Sequence, residues 1–198
     1  MPRTDHREPD APAFALLGEP LAVELVNTLV MHDGSLVERL TGDEDAAAWI
    51  RAHAGELPEG ALERPPSARR LRGLREVIRA LFECALDART PEPDVVARFN
   101  AAVASAPLRH ALTWADGQPP RAIMTAGARP SPTLVLAAVA GSALEVLGDP
   151  RGARLRHCAA PDCVLMFVAT NPRRRWCSAT GCGNRIRVAR HYVGRRSG

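Results

Sequence analysis

The residues best suited to chemistry lie close together near the end of the chain: Cys158, Cys163, Cys177 and Cys182. They form two C-x4-C pairs separated by 13 residues. Two close pairs joined by a hairpin-length connection let four thiolates converge on one tetrahedral ion. Thiolates are soft ligands, and a set of four selects zinc or an iron–sulfur cluster over magnesium or calcium. The spacing lacks the usual ferredoxin runs. Two disulfides are the third reading, and the opening MPRTDHREPDAPA argues against it, having acids where a signal peptide needs an apolar core. One structural Zn2+ on these four cysteines fits best. No ligand position is left for water, so a catalytic metal is not expected. The stretch also has few core residues (Leu155, Val164, Leu165, Phe167, Trp176, Ile186 and Val193), and so small a unit needs a staple to fold.

What surrounds the cysteines is basic. Residues 151–198 carry 11 Arg and one acid, a balance of +10, whereas residues 1–150 carry 15 Arg and 21 acids, a balance of −6. The formal charge of the whole, +4, hides this division. All 26 basic residues are Arg, which GC-rich coding explains most simply, yet an arginine fork suits phosphate and guanine edges whatever its origin. Zinc with four thiolates adds about −2, leaving the module strongly positive.

Within the module, Leu155 and the run Val164–Val168 read as strands and Asn171-Pro172 as a turn. Gly183 to Val193 reads as a helix starting near Cys182. At 100° per residue, Ile186, Ala189 and Val193 share the Cys182 face. Asn184, Arg187 and His191 fall on the opposite side with Arg190 beside them, and Arg185 lies near the buried edge, where it can brace the metal site. Arg173, Arg174 and Arg175 precede Cys177, and Arg195 and Arg196 close the module. Such a face suits phosphates, and Arg or Asn on a helix can read base edges in the major groove. DNA is therefore the expected partner, with contacts from Arg173, Arg174, Arg175, Asn184, Arg187, Arg190, His191, Arg195 and Arg196. The alternative is a protein-docking or RNA-binding module. RNA ranks lower because only Phe167, Trp176 and Tyr192 offer rings for stacking, and two of those are expected to pack.

The preceding residues must form the body that positions this module. Residues 1–13 are expected to be a disordered tail, 14–150 a helical domain and 151–198 the finger. A helix is expected from Glu19, with Leu21, Leu25 and Leu29 in one stripe, and another from Asp43, as N-cap, through Trp49 and Ile50. Ser67 to Ala88 repeats apolar residues at three- and four-residue steps (Leu71, Leu74, Ile78, Leu81, Ala85), with Cys84 as core filling. A helix from Asp94 to Val103, a β-hairpin over Leu108–Trp114 and Arg121–Met124, and a buried helix from Ser131 to Leu147 complete the body. The fold class is thus mainly α (α+β): a helical domain with a small β-hairpin, then a small treble-clef-like four-cysteine finger. The run Thr133–Leu147 is too short for a bilayer span and is interrupted by Gly141, Ser142 and Glu145, so a cytoplasmic protein is expected. The body holds no phosphate loop, HExxH or nucleophile elbow, and His6, His32, His53 and His110 are scattered, so no enzyme is expected. Asn27 and Thr28 interrupt an apolar stretch. They are candidates for a ligand pocket, although hydrogen bonding to a neighbouring element is the plainer reading.

Trp176-Cys177-Ser178 and Cys182-Gly183-Asn184-Arg185, with the earlier C-x4-C, resemble the CGNR zinc-finger family. In that family the finger follows an N-terminal ABATE domain, which the body resembles through Leu21–Thr28 (LAVELVNT), Trp49 and the Leu71–Leu81 helix. The resemblance implies Cys158, Cys163, Cys177 and Cys182 as zinc ligands and Gly183, Asn184 and Arg185 as signature residues. It also implies a stress-induced transcription regulator. The body of a DNA-binding protein so arranged is expected to form a homodimer or to sense an effector, which no residue identifies.

Overall fold

Helices dominate the body in the computed structural model, which describes residues 14–127, 129–148 and 154–189. The expected tail at 1–13, the 149–153 junction and the positions Arg190, His191, Tyr192, Val193, Arg195 and Arg196 lie outside the described residues.

The first helix, α1 (Leu21–Val26), is short and wholly buried. Pro20 presets its entry, and the Pro20 carbonyl accepts from Val23 N (2.8 Å) and Glu24 N (3.0 Å). The helix stops at Val26, so Leu29 does not extend its stripe but opens a strand, β1 (Leu29–His32). This strand pairs antiparallel with β2 (Ser35–Glu38), with His32 opposite Ser35. Asp33 and Gly34 make the turn with φ of 48° and 77°. Asp-Gly tolerates this left-handed pair, and it matches the twist of a hairpin. That dipeptide between LVMH and SLVE is the signal that distinguishes a hairpin from a longer helix.

The next helix, α2 (Asp43–Ala52), takes Gly42 as its N-cap, so Asp43 is the first helical residue. Asp45 reaches back instead, its carboxylate accepting from Thr41 N at 2.9 Å and Gly42 N at 3.3 Å. Asp43 serves a neighbour: it accepts from Ala68 N (2.8 Å), at the start of α3 (Ala68–Leu86). Ser67 caps α3 through Arg70 N at 3.4 Å. Because this bond is long, Ser67→Ala is expected to cost about 0.5–1 kcal/mol, read as a small fall in thermal midpoint. Leu71, Leu74, Ile78 and Leu81 are buried, whereas Ala85 is exposed and Cys84 is half-buried on the flank rather than filling the core.

One charged residue of α3 breaks the pattern. Arg75 is 3% exposed, and it donates to Glu38 (2.7 and 2.5 Å) and to Thr28 Oγ1 (3.0 Å). It thereby ties α3 to the first hairpin and to the end of α1. Burial by itself would raise the Glu38 carboxyl, but Arg75 and the Leu40 N–H outweigh it and hold the group below its ordinary 4.5. A depressed carboxylate contributes stability that is complete above the ordinary value and is lost as pH falls through the lower folded one. Glu38→Gln should therefore flatten the loss of stability below about pH 4.5, measured by urea unfolding at stepped pH. An unchanged acid limb would sink this assignment.

The remaining body elements are α4 (Pro93–Val103), β3 (Leu108–Thr113), β4 (Arg121–Ala126) and α5 (Pro132–Gly148). Apolar nearly all round, α5 packs against α1, α3 and α4. The β3–β4 hairpin, with Leu108 opposite Ala126, projects with both strands largely exposed. Among the described residues no helix is long and apolar enough to cross a membrane.

Two short strands follow, β5 (Leu155–His157) and β6 (Met166–Val168), paired antiparallel with Leu155 opposite Val168. Val164 and Leu165, expected in the strand, fall outside it, although the Leu165 carbonyl still accepts from Cys158 N (2.9 Å) and closes the first cysteine loop. Side chains alternate along β6 and so divide between two cores. Met166 joins the body's core with Leu155, while Phe167 joins Cys158, Ala160, Ala169 and Cys177. The finger is therefore packed into the body rather than hung from it.

Candidate zinc centre and nucleic-acid interface

The two cysteine loops bring Cys158, Cys163, Cys177 and Cys182 together, with all four Sγ atoms within 4.8 Å of one another. Cys163 Sγ and Cys177 Sγ are 3.9 Å apart. Tetrahedral zinc with Zn–S bonds near 2.3 Å requires sulfurs about 3.8 Å apart. No disulfide joins them. Donor chemistry and spacing agree, so the four form one structural zinc site, closed by four protein ligands.

As thiols the set divides its protons unevenly. Hydrogen bonding to Cys177 lowers Cys163 to about 5, and the Cys177 thiol is raised in return. Burial, then the charge on Cys163, pushes Cys182 up to about 11. The Cys163 thiolate forms readily, while the hydrogen bond to it keeps the proton on Cys177 and burial keeps the one on Cys182. Backbone and side-chain donors steady that charge: Cys177 N points at Cys158 Sγ (3.4 Å) and Arg185 Nη2 at Cys182 Sγ (3.7 Å). Arg185 thus braces the ligands as its place on the helix implies.

Of the second pair, Cys182 sits on a π-turn, Ala179–Gly183, and Cys177 precedes its cap, Ser178, whose Oγ accepts from Gly181 N (3.1 Å). Residues 184–189 continue as helix α6. Gly183 is buried between two fixed groups. A Cβ there would lie 3.1 Å from Trp176 Cδ1 and 3.2 Å from the Ser178 carbonyl oxygen, which already accepts from Gly183 N. Space thus favours the signature glycine. Gly183→Ala is expected to cost about 1–3 kcal/mol by overpacking and to speed zinc loss to a colorimetric chelator. Unchanged release would show that the turn yields freely.

The arginines divide. Arg173 and Arg175 are exposed, Arg175 lying over the Trp176 ring at 5.4 Å. Asn184 and Arg187 are exposed and joined to each other, Arg187 Nη1 to Asn184 Oδ1 at 3.3 Å. Arg174 turns inward, against its expected place on the nucleic-acid face. Its guanidinium lies 4.5 Å over the Phe167 ring and donates to the carbonyls of Val168, Trp176 and Cys177 (3.3, 3.2 and 2.7 Å) and to Glu19 (2.5 Å). These bonds occupy its donors and hold the residues around Cys177. On α6, Ile186 packs toward the metal cluster as its position implies, but Ala189 is exposed.

Among the described residues, Asn27 and Thr28 hydrogen-bond to neighbouring elements, as the plainer reading expects. Asn27 is 1% exposed, and its amide pairs with Met166 as a strand would: Nδ2 donates to the Met166 carbonyl and Oδ1 accepts from Met166 N, both at 2.9 Å. Thr28 Oγ1 donates to the Leu25 carbonyl (2.7 Å) and accepts from Arg75. Beside Asn27, Glu19 accepts from Val168 N (2.8 Å). Two body side chains thus satisfy the outer edge of β6. Glu24 positions Glu19, accepting from the N–H groups of Glu19 and Leu17 (both 2.8 Å), although burial pushes its carboxyl above the ordinary value. A further link joins His157 Nε2 to Glu83 (2.9 Å). Periodicity could not mark the links Glu19–Arg174, Glu83–His157 or Arg75–Glu38, because these partners are distant in sequence. His53, one of the scattered histidines, is buried and bonded to the Trp49 carbonyl (2.8 Å).

Comparison with known proteins finds two families along the chain. The ABATE family, described as "Putative stress-induced transcription regulator", matches residues 19–150. The CGNR zinc finger matches residues 154–195. No curated protein matches the chain.

Proposed function

Because the chain belongs to the ABATE family and ends in a CGNR zinc finger, we propose that it is a zinc-dependent, DNA-binding transcription regulator whose body senses a signal or self-associates. The observation that supports DNA most is the exposed set Arg173, Arg175, Asn184 and Arg187 on a module with a balance of +10. The metal fixes the start of α6, so the polar side of that helix is presented in one orientation. Arg173 and Arg175, on the loop before Cys177, suit phosphates, while Asn184 and Arg187 suit base edges. The cytoplasm is the compartment that fits reduced thiols and a DNA partner.

Selection of bound sequences from random duplex DNA, with and without a zinc chelator, tests this directly. One enriched motif that needs zinc is expected. In salt titrations, removing Arg173 and Arg175 together should reduce the slope of log K against log salt by about 2. A zinc-loaded protein with no salt-sensitive affinity for any duplex would exclude this function. Single-stranded RNA as competitor separates the RNA-binding alternative, and sedimentation of the free protein tests self-association.

A further inference from the structure

Between the projecting hairpin and the body lies a cleft of about 520 Å3. Its walls are the base of the hairpin (Leu108, Met124), the start of α1 (Pro20, Leu21) and the α5 face around Ala138 and Gly141. That volume is within the range of small-molecule sites, which combine apolar walls with a few placed polar groups. The polar groups here are Glu56, His110, Ser142 and Glu145. Ser142 is engaged, accepting from Ala22 N (3.2 Å). Among the described residues no hydrogen bond or ion pair engages the side chains of Glu56, His110 or Glu145. Among the described residues no Arg lines the cleft, although Arg121 lines the adjoining pocket that shares Glu56, His110 and Met124. The described lining therefore offers apolar surface with two carboxylates and no cation of its own.

We propose that this cleft binds a small amphipathic cation: an apolar body against Leu21, Leu108 and Met124, and a positive charge facing Glu56 and Glu145. Charge complementarity selects the sign of the ligand, because an anion of the same shape would meet both carboxylates. His110 supplies a ring and a polar edge at the hairpin wall. The position also suits the sensing role, and to that extent the inference rests on the proposed function. Pro20 and Leu21, which touch the occupant, directly follow Glu19, the residue that holds Arg174 and Val168 of the finger.

The test uses the zinc-loaded full chain without DNA, so that its outcome is separate from operator binding. Tetraphenylphosphonium and tetraphenylborate share a shape and differ in sign, and each is titrated by calorimetry. The phosphonium is expected to bind saturably at one site, at least tenfold more tightly than any borate binding at the same site. Gly141→Leu fills the cleft without disturbing the backbone, since a Cβ there meets nothing within 4 Å. It should weaken phosphonium binding at least tenfold and leave borate binding to the arginine face unchanged. The Glu56→Gln, Glu145→Gln pair should remove the preference for the cation while keeping the thermal midpoint. Phosphonium binding that is absent, indifferent to Gly141→Leu or indifferent to the paired substitution overturns the proposal.

Discussion

Removing zinc, by chelation or by Cys158→Ala, is expected to unfold the finger and weaken the body in the same step. Four thiolates close the site, and the small core around Phe167 contains two of those cysteines, so without metal little else holds the loops together. Apparent binding energies of structural zinc sites are about 10–16 kcal/mol, more than so small a core can replace. The effect does not end at residue 158, because β5 and β6 place Leu155 and Met166 in the body's own core. Withdrawing two such side chains costs about 3–6 kcal/mol. Metal analysis should find one zinc per chain, and none in Cys158→Ala. Chelation should lower the thermal midpoint of the body and expose amides 154–168 to hydrogen exchange. Full protection of those amides after zinc has left would show that the body alone holds the hairpin.

Asn27→Leu is expected to release the finger from the body while leaving the zinc ligands untouched. The leucine is close in volume but has no amide, so Met166 N–H and C=O are left buried without partners. Each such group costs about 1–3 kcal/mol, hence about 2–6 kcal/mol for the pair, a large share of the roughly 5–15 kcal/mol that ordinarily stabilises a fold. Zinc should still bind, since none of its ligands contacts Asn27, but urea unfolding should shift to lower denaturant and amide protection at Met166 should fall first. Glu19→Gln is a companion. It keeps one acceptor oxygen, enough for Val168 N or Arg174 but not both, and removes the charge, so at least one of the two bonds should be lost. Wild-type stability in Asn27→Leu would mean that β6 is held by its apolar contacts alone.

The sequence by itself determined the features that depend on neighbours along the chain. Cysteine spacing specified one tetrahedral thiolate site, and three- and four-residue periodicity specified α3 nearly to its ends. The charge imbalance separated a basic module from an acidic body. Even the signature glycine could be recognised, although only the structure gives its reason, the Trp176 ring and the Ser178 carbonyl on either side of its α-carbon.

Tertiary structure decided whatever depended on partners far along the chain. Asn27 meets Met166 across 139 residues, and Glu19 meets Arg174 across 155. No local pattern distinguishes such a polar side chain from one that lines a pocket or faces solvent. The same limit explains Arg174, whose neighbours Arg173 and Arg175 point outward. It also explains Leu29, which fits the stripe of α1 but enters a strand because Asp33-Gly34 turns the chain back. Short-range spacing carries metal chemistry and helical periodicity. The docking of one module on another is decided by which buried donors and acceptors find each other when the chain closes, and that information exists only in three dimensions.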